Sequence, residues 1–269
     1  MKNGKVDRGR ILQESKTYRD RWKASPWSDI IATTMGQKRQ GTNIDLNEII
    51  VLVPKTEQGL SDLRGFPLSA KEDGNRPRYR SRSLSHVDLS YSSSEIGHSF
   101  SKTIFENCCF SKSIWWCHSS RKNLFKNCDF SSIIVYSTNL SSGCRFENSV
   151  FDGMSARGDG FSFGYNSKFF NCSFDDVEIR EIGTLNNVVF THCKFGGTLR
   201  RGEIKGLAWE RKANRFDLIS LLFRLTRGVR FIKCDLSQLK LHEITIDPDV
   251  IVTDSILPSC WETRFIGTG

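Results

Sequence analysis

Large apolar residues recur five positions apart along much of this 269-residue chain. They fall at Phe105, Phe110 and Trp115; at Phe125, Phe130, Val135 and Leu140; at Phe146 and Phe151; at Phe169, Phe174 and Ile179; at Phe190 and Phe195; and at Phe231, Leu236 and Leu241. A spacing of five is neither the 3.6 of a helix nor the 2 of a simple strand. A longer period lies above it. Phe105 to Phe125 and Phe110 to Phe130 are each 20 residues, Phe130 to Phe151 is 21, Phe151 to Phe174 is 23 and Phe174 to Phe195 is 21. Phe195 to Leu236 is 41, close to two turns. Four fives therefore close one coil with four short sides, each side turning the chain through a right angle.

A small residue stands two positions before many of the large ones: Cys108, Cys128, Ser149, Cys172, Cys193 and Cys234. Alternate residues of an extended segment share a face, so the small and the large residue both point inward. One coil cannot bury such a face alone, and stacking makes the core continuous. The spacing thus predicts a ladder with Phe over Phe and Cys over Cys.

The triplets Cys128-Asp129-Phe130, Val87-Asp88-Leu89, Thr138-Asn139-Leu140 and Cys234-Asp235-Leu236 carry the ladder's pattern most plainly. In them the chain resembles the pentapeptide-repeat family over roughly residues 84–201 and 227–250. The resemblance implies an all-β solenoid, a right-handed quadrilateral β-helix, and a protein that is not an enzyme. Phe replaces Leu at most centres here, Cys replaces Ala at the small position, and some coils are lengthened. The run GMSARGDGFSFGYN, residues 153–166, is expected to bulge out of its coil.

Residues 1–58 read as a basic N-terminal cap or appendage, and 59–83 as a basic loop or irregular first coil. Within them, residues 11–25 predict a short helix anchored by Ile11, Leu12 and Trp22. Residues 47–54, NEIIVLVP, predict a strand ended by Pro54. The repeat body occupies 84–201. Residues 202–228 depart from the period of five, and from Trp209 to Arg227 they contain no Gly or Pro, which predicts an inserted amphipathic helix. Phe216, Ile219 and Phe223 share one face of it, Leu218, Leu222 and Leu225 another, and Gly228 is a plausible stop. Final coils follow at 229–258, with a C-terminal tail at 259–269 in which Cys260 and Trp261 are placed to plug the open end.

The net charge is +9. Residues 1–83 carry 17 Lys and Arg against 10 Asp and Glu, whereas residues 84–201 carry 12 against 11. The basic excess belongs to the N-terminal region. Nowhere do 18 apolar residues run together, so no membrane span is expected. The N-terminus lacks the apolar core of a signal peptide, which favours the cytoplasm; a bacterial protein is what the family resemblance implies. The 9 cysteines are dispersed and never form a CxxC pair, so they read as reduced, buried thiols.

Chemistry is sparse. There is no phosphate-loop motif, and GDGFSFG at 158–164 has the wrong spacing for a dinucleotide fingerprint. His86, His98, His118, His192 and His242 are scattered, and the ladder cysteines point among phenylalanines, a poor setting for a metal. Asp175, Asp176, Glu178 and Glu181 read as a solvated face. No catalytic residue, metal or cofactor is expected.

The leading reading is a non-catalytic scaffold or adaptor. It binds a protein partner through a solenoid face and through Trp209, Arg211, Lys212, Arg215, Phe216, Phe223 and Arg224 of the inserted helix. That helix could equally pack on the solenoid's own side, pair two copies as a homodimer, or lie on a membrane surface. A second reading is nucleic-acid binding, with Arg76, Arg78, Arg80 and Arg82 alternating around Tyr79. The early run Arg8, Arg10, Lys16, Arg19, Arg21 and Lys23 adds to it, diluted by Asp7, Glu14 and Asp20. A third comes from the resemblance: some family members mimic duplex DNA and bind type II topoisomerases. Mimicry needs a strongly negative surface, and the near-neutral repeat body argues against it.

Overall fold

The computed structural model of the protein describes residues 7–29, 43–66, 78–79, 82–94, 99–115, 120–136, 140–157, 161, 163–164, 166–180, 187–204, 229–246, 250–259 and 261. Eight short strands stack in sequence order: Ser83–Ser85, Ile104–Glu106, Leu124–Lys126, Arg145–Glu147, Lys168–Phe170, Val189–Thr191, Arg230–Ile232 and Ile251–Thr253. Each pairs in parallel with its equivalent one coil further on. Seven more strands, ending in the long Lys194–Ile204 and Asp235–Ile246, form a second wall. Asn43–Ile44, Arg78–Tyr79, Ser99–Ser101 and Ser120–Arg121 line a third. The chain is a parallel, four-sided β-solenoid.

The five-residue rule appears inside it as two columns of stacked rings. Phe105, Phe125, Phe146, Phe169, Phe190 and Phe231 lie in register, with adjacent centroids 4.8, 4.8, 4.7, 4.9 and 5.3 Å apart. Phe110, Phe130, Phe151, Phe174 and Phe195 form the next column, at 4.9, 4.7, 4.8 and 4.6 Å. The columns meet edge to face, as at Phe125–Phe130, 5.3 Å and 77°. Both geometries suit aromatic quadrupoles, and each ring adds about 1 kcal/mol beyond its area burial.

The small residues stack beside them. Cys108, Cys128, Ser149, Cys172, Cys193 and Cys234 are buried, and the cysteines are free thiols. Each thiol donates to a backbone carbonyl two residues earlier, as Cys128 Sγ does to Lys126 at 3.3 Å. Ser149 and Ser255 do the same with a hydroxyl, at 3.0 and 2.9 Å. The position thus requires a thin side chain that can donate.

Left-handed residues make the corners. One corner runs His86, Asn107, Asn127, Asn148, Asn171, His192, Lys233 and Asp254, all with φ between 49° and 55°. Asn tolerates this conformation better than most residues, because its short amide bonds locally. Here the amides also bond vertically: Asn127 to Asn107 at 3.2 Å, Asn148 to Asn127 at 3.2 Å and Asn171 to Asn148 at 2.8 Å.

Two expectations need correction. Residues 46–50 are a helix, α2 (Leu46–Ile50), not a strand. Asp45 caps it by accepting from the Asn47 N–H, and burial falls on Leu46 and Ile49, three apart. A strand would send those two side chains to opposite faces. The run 153–166 does not simply bulge outward: Phe161 and Phe163 are buried, and Phe163 sits edge-on to Phe169, Phe174, Phe190 and Phe195. Residues 158–160, 162 and 165 of the run lie outside the described residues. The long strand through Ile204 also keeps residues 202–204 in the second wall, paired with Ile244, Thr245 and Ile246.

The first coil is covered by the N-terminal region. Trp22, Leu46, Ile49, Leu63 and Phe66 join the solenoid core, with Trp22 edge-on to Phe66 at 5.0 Å. Helix α1 (Arg8–Arg21) lies along the side wall, where Ile11 meets Ile114 and Ile134. At the far end Trp261 is buried and edge-on to Phe231 at 6.0 Å.

Candidate partner-binding surface

The eight-stranded wall turns its ring column inward, so its two flanking rows face out. In register the rows read Ile104, Leu124, Arg145, Lys168, Val189, Arg230, Ile251 and Glu106, Lys126, Glu147, Phe170, Thr191, Ile232, Thr253. The last four strands each contribute one outward apolar side chain: Phe170, Val189, Ile232 and Ile251. Phe170 is 44% exposed and Ile251 40%. The Phe170 ring meets only the corner imidazole of His192, edge-on at 5.6 Å, among the ring contacts of the described residues. Adjacent strands are about 4.8 Å apart, so the patch is about 14 Å long on a flat, rigid wall.

Charges border the patch. Arg145 pairs with Glu147 at 2.5 Å. The face as a whole carries Lys126, Arg145, Lys168 and Arg230 against Glu106 and Glu147, so it is not an acidic imitation of duplex DNA.

The expected site residues have varied fates. Trp209, Arg211, Lys212, Arg215, Phe216, Phe223 and Arg224 lie outside the described residues, as do Arg76 and Arg80. Arg78 and Tyr79 stand on a strand that pairs with Ser99 and Phe100. Arg82 is exposed at the start of the first strand of the eight. The early basic run is largely engaged within the protein. Arg10 pairs with Glu14 at 2.7 Å, and Lys16 and Lys23 flank Asp20 at 2.9 and 2.7 Å. Arg21 and Arg64 both grip the buried Asp62, at 2.7 and 2.8 Å. Burial alone would raise the Asp62 carboxyl, but the bonds from Arg64 and Arg21 outweigh it and hold it well below the usual range.

The acidic cluster is structural as far as it is described. Glu178 lies 3.8 Å from both Arg157 and Arg180, and Asp175 lies 3.9 Å from Lys194. No group of three or more His, Cys, Asp or Glu side chains among the described residues is arranged so that it could hold a metal ion. Burial raises Cys128 and pushes Cys193 up to about 12, whereas the bonds from Cys128 and Cys193 lower Cys108 and Cys172, which are nevertheless buried among the rings and closed to a substrate. Among the described residues no helix is long and apolar enough to cross a membrane.

Phe170 and the asparagine corner were missed from sequence, though both left a signal. KFFNCSF doubles the Phe, and FENCCF, FKNCDF and KFFNCSF share an Asn three residues before the second inward centre.

No family model matches the chain, and no curated protein does. Solved structures similar to it include HetL, a pentapeptide repeat protein involved in heterocyst differentiation regulation from the cyanobacterium Nostoc sp. strain PCC 7120. The identity is 13% over 65% of this chain and 83% of that one, with a TM-score of 0.28. Trypsin-treated QnrB1, a plasmid-mediated fluoroquinolone resistance protein, is 18% identical over 66% of this chain and 80% of its own, with a TM-score of 0.20. Scores this low do not superpose the chains, so the architecture rests on this protein's own rungs. Four five-residue sides to a coil, with Phe or Leu at the inward centres and Cys or Ser two residues before, make this chain a four-sided parallel β-solenoid, the architecture of the pentapeptide-repeat β-helix.

Proposed function

We propose that the protein is a non-catalytic interaction module that binds a protein partner through the outer wall centred on Phe170. One observation carries the reading: four apolar side chains, Phe170, Val189, Ile232 and Ile251, face outward on consecutive strands of a wall whose every inward position is already filled. An aromatic anchor on a rigid surface with a charged rim suits a protein interface. Arg21 is held by the buried Asp62, and Arg10, Lys16 and Lys23 are balanced by acids of helix α1, which favours this over a nucleic-acid role for that helix. Residues 207–227 are a second proposed contact, on their sequence alone.

Affinity capture from the native source, followed by reconstitution with the purified partner, tests the reading. Replacement of Phe170 and Ile251 by Ser is expected to abolish binding while the protein stays folded. Undiminished binding would contradict it. Replacing 207–227 by a Gly/Ser linker tests the second contact separately, and the strand through Ile204 must be kept intact.

A further inference from the structure

The near-neutral repeat body hides a segregated charge distribution. At the corner between the third wall and the eight-stranded wall, Lys102 and Lys122 hold left-handed backbone, φ 61° and 55°, on successive coils. Gly143 follows them at φ 62°, and a Cβ there would lie 3.5 Å from the Lys122 stem, so that side chain lies over the glycine. Arg121 stands beside them, paired with Ser101 below and bridged to Ser142 above. Lys168 continues the line on the far side, in register with Arg145, and Arg82 begins it one coil below Thr103. Arg82, Lys102, Arg121, Lys122 and Lys168 are all exposed. None forms an ion pair with a described residue; Arg145 alone in the line is neutralised, by Glu147. Of the acids among the described residues, Asp129, Asp152, Asp175 and Asp235 stand beyond the asparagine corner, and Glu106 and Glu147 lie on the wall's far row, Glu147 paired with Arg145.

We infer that this corner is a sequence-independent docking stripe for the phosphate backbone of double-stranded DNA. Five cations on a rigid edge, without an ion-pair partner among the described residues and with serines between them, are phosphate-binding chemistry. From the Arg82 coil to the Lys168 coil is four steps, about 19 Å, the span of about five phosphates of one strand along a B-form axis. A duplex presents its phosphates at the regular rise that a rigid line of cations on stacked coils can follow, whereas a single strand has no fixed rise. The stripe is a convex corner. B-form DNA opens a major groove about 12 Å wide to such an edge, whereas A-form RNA keeps its major groove narrow. This surface is distinct from the Phe170 patch, and the two can be tested apart.

The test measures fluorescence anisotropy of a labelled 30-base-pair DNA duplex of random sequence against the full chain at several salt concentrations. Binding is expected to be indifferent to sequence, with log Kd rising against log salt at a slope of about 4, as for release of about five counterions. Lys122→Glu with Lys168→Glu should weaken binding at least tenfold and lower the slope by about 2. Phe170→Ser should leave DNA binding unchanged. Each of the following would overturn the inference: no binding at low salt, binding indifferent to the two reversals, tighter binding to an RNA duplex of the same sequence, or tighter binding to polyglutamate. Failure of this test leaves the Phe170 interface standing, because the two use different residues and different ligands.

Discussion

At the residue scale, a pentapeptide ladder built from Phe differs from one built from Leu in what each rung contributes. A stacked ring touches its neighbours above and below and, edge-on, the rings of the adjacent side. Phe130→Ala removes a fully buried ring from the middle of both sets of contacts and should cost roughly 3–5 kcal/mol, read as a fall in denaturant midpoint. Asn148 carries a different constraint. Its φ of 49° penalises a side chain without a local amide, so Asn148→Ala should cost about 1 kcal/mol in the same assay and Asn148→Gly less. The thiol column sets a pH dependence. Burial raises Cys128 and Cys193, and hydrogen bonding to Cys193 and then burial raise Cys234; the bonds from Cys128 and Cys193 lower Cys108 and Cys172 by less, so the raised thiols decide the sign. A thiol with a raised folded pKa contributes stability below the ordinary thiol value near 8.5, and that contribution is lost as pH climbs above it. Thermal stability should therefore fall from pH 8 to pH 10, and Cys128→Ala with Cys193→Ala should flatten the fall.

At the scale of elements, the repeat was legible in the sequence because each coil depends on local spacing. The period of five, the 20-to-23-residue coil and the inward Cys all follow from which residues must share a face. The cap was less legible. Leu46 and Ile49 are buried at helical spacing, but α2 is only five residues long, too short for a periodic signal to separate it from a strand. Phe170 was hidden because a doubled Phe reads as core on either phase of a strand, and only the register with Phe146 and Phe190 turns one ring out. The docking of α1 depends on contacts across more than forty residues, which no local pattern reports. Arg21 reaches Asp62, Trp22 donates to the Arg64 carbonyl at 2.9 Å, and Tyr18 stacks on Tyr91 at 4.6 Å. Asp62→Ala would strand Arg21 and Arg64 partly buried and should cost roughly 3 kcal/mol. Limited proteolysis should then cleave near α1 well before it cuts the repeat body.

At the scale of the molecule, the four-sided coil separates tasks by direction. The inside holds rings and thiols, the corners hold residues that accept left-handed backbone, and only the outward rows are free to vary. A net charge of +9 is therefore less informative than where the charges sit. Acid and base balance along the repeat, yet Lys102, Arg121 and Lys122 gather at one corner while Asp129, Asp152, Asp175 and Asp235 lie beyond another. Phe170 and Phe174 state the division of tasks most compactly: four residues apart in one phrase, one faces out and the other is fully buried. The most direct measurement is the affinity of the purified partner for Phe170→Ser, set beside the melting of Phe170→Ser and Phe174→Ser. The expected result is a loss of at least thirtyfold in affinity, about 2 kcal/mol, for Phe170→Ser with an unchanged melt, and a strongly lowered melt for Phe174→Ser. Partner binding by Phe170→Ser at the strength of the unaltered protein would contradict the account.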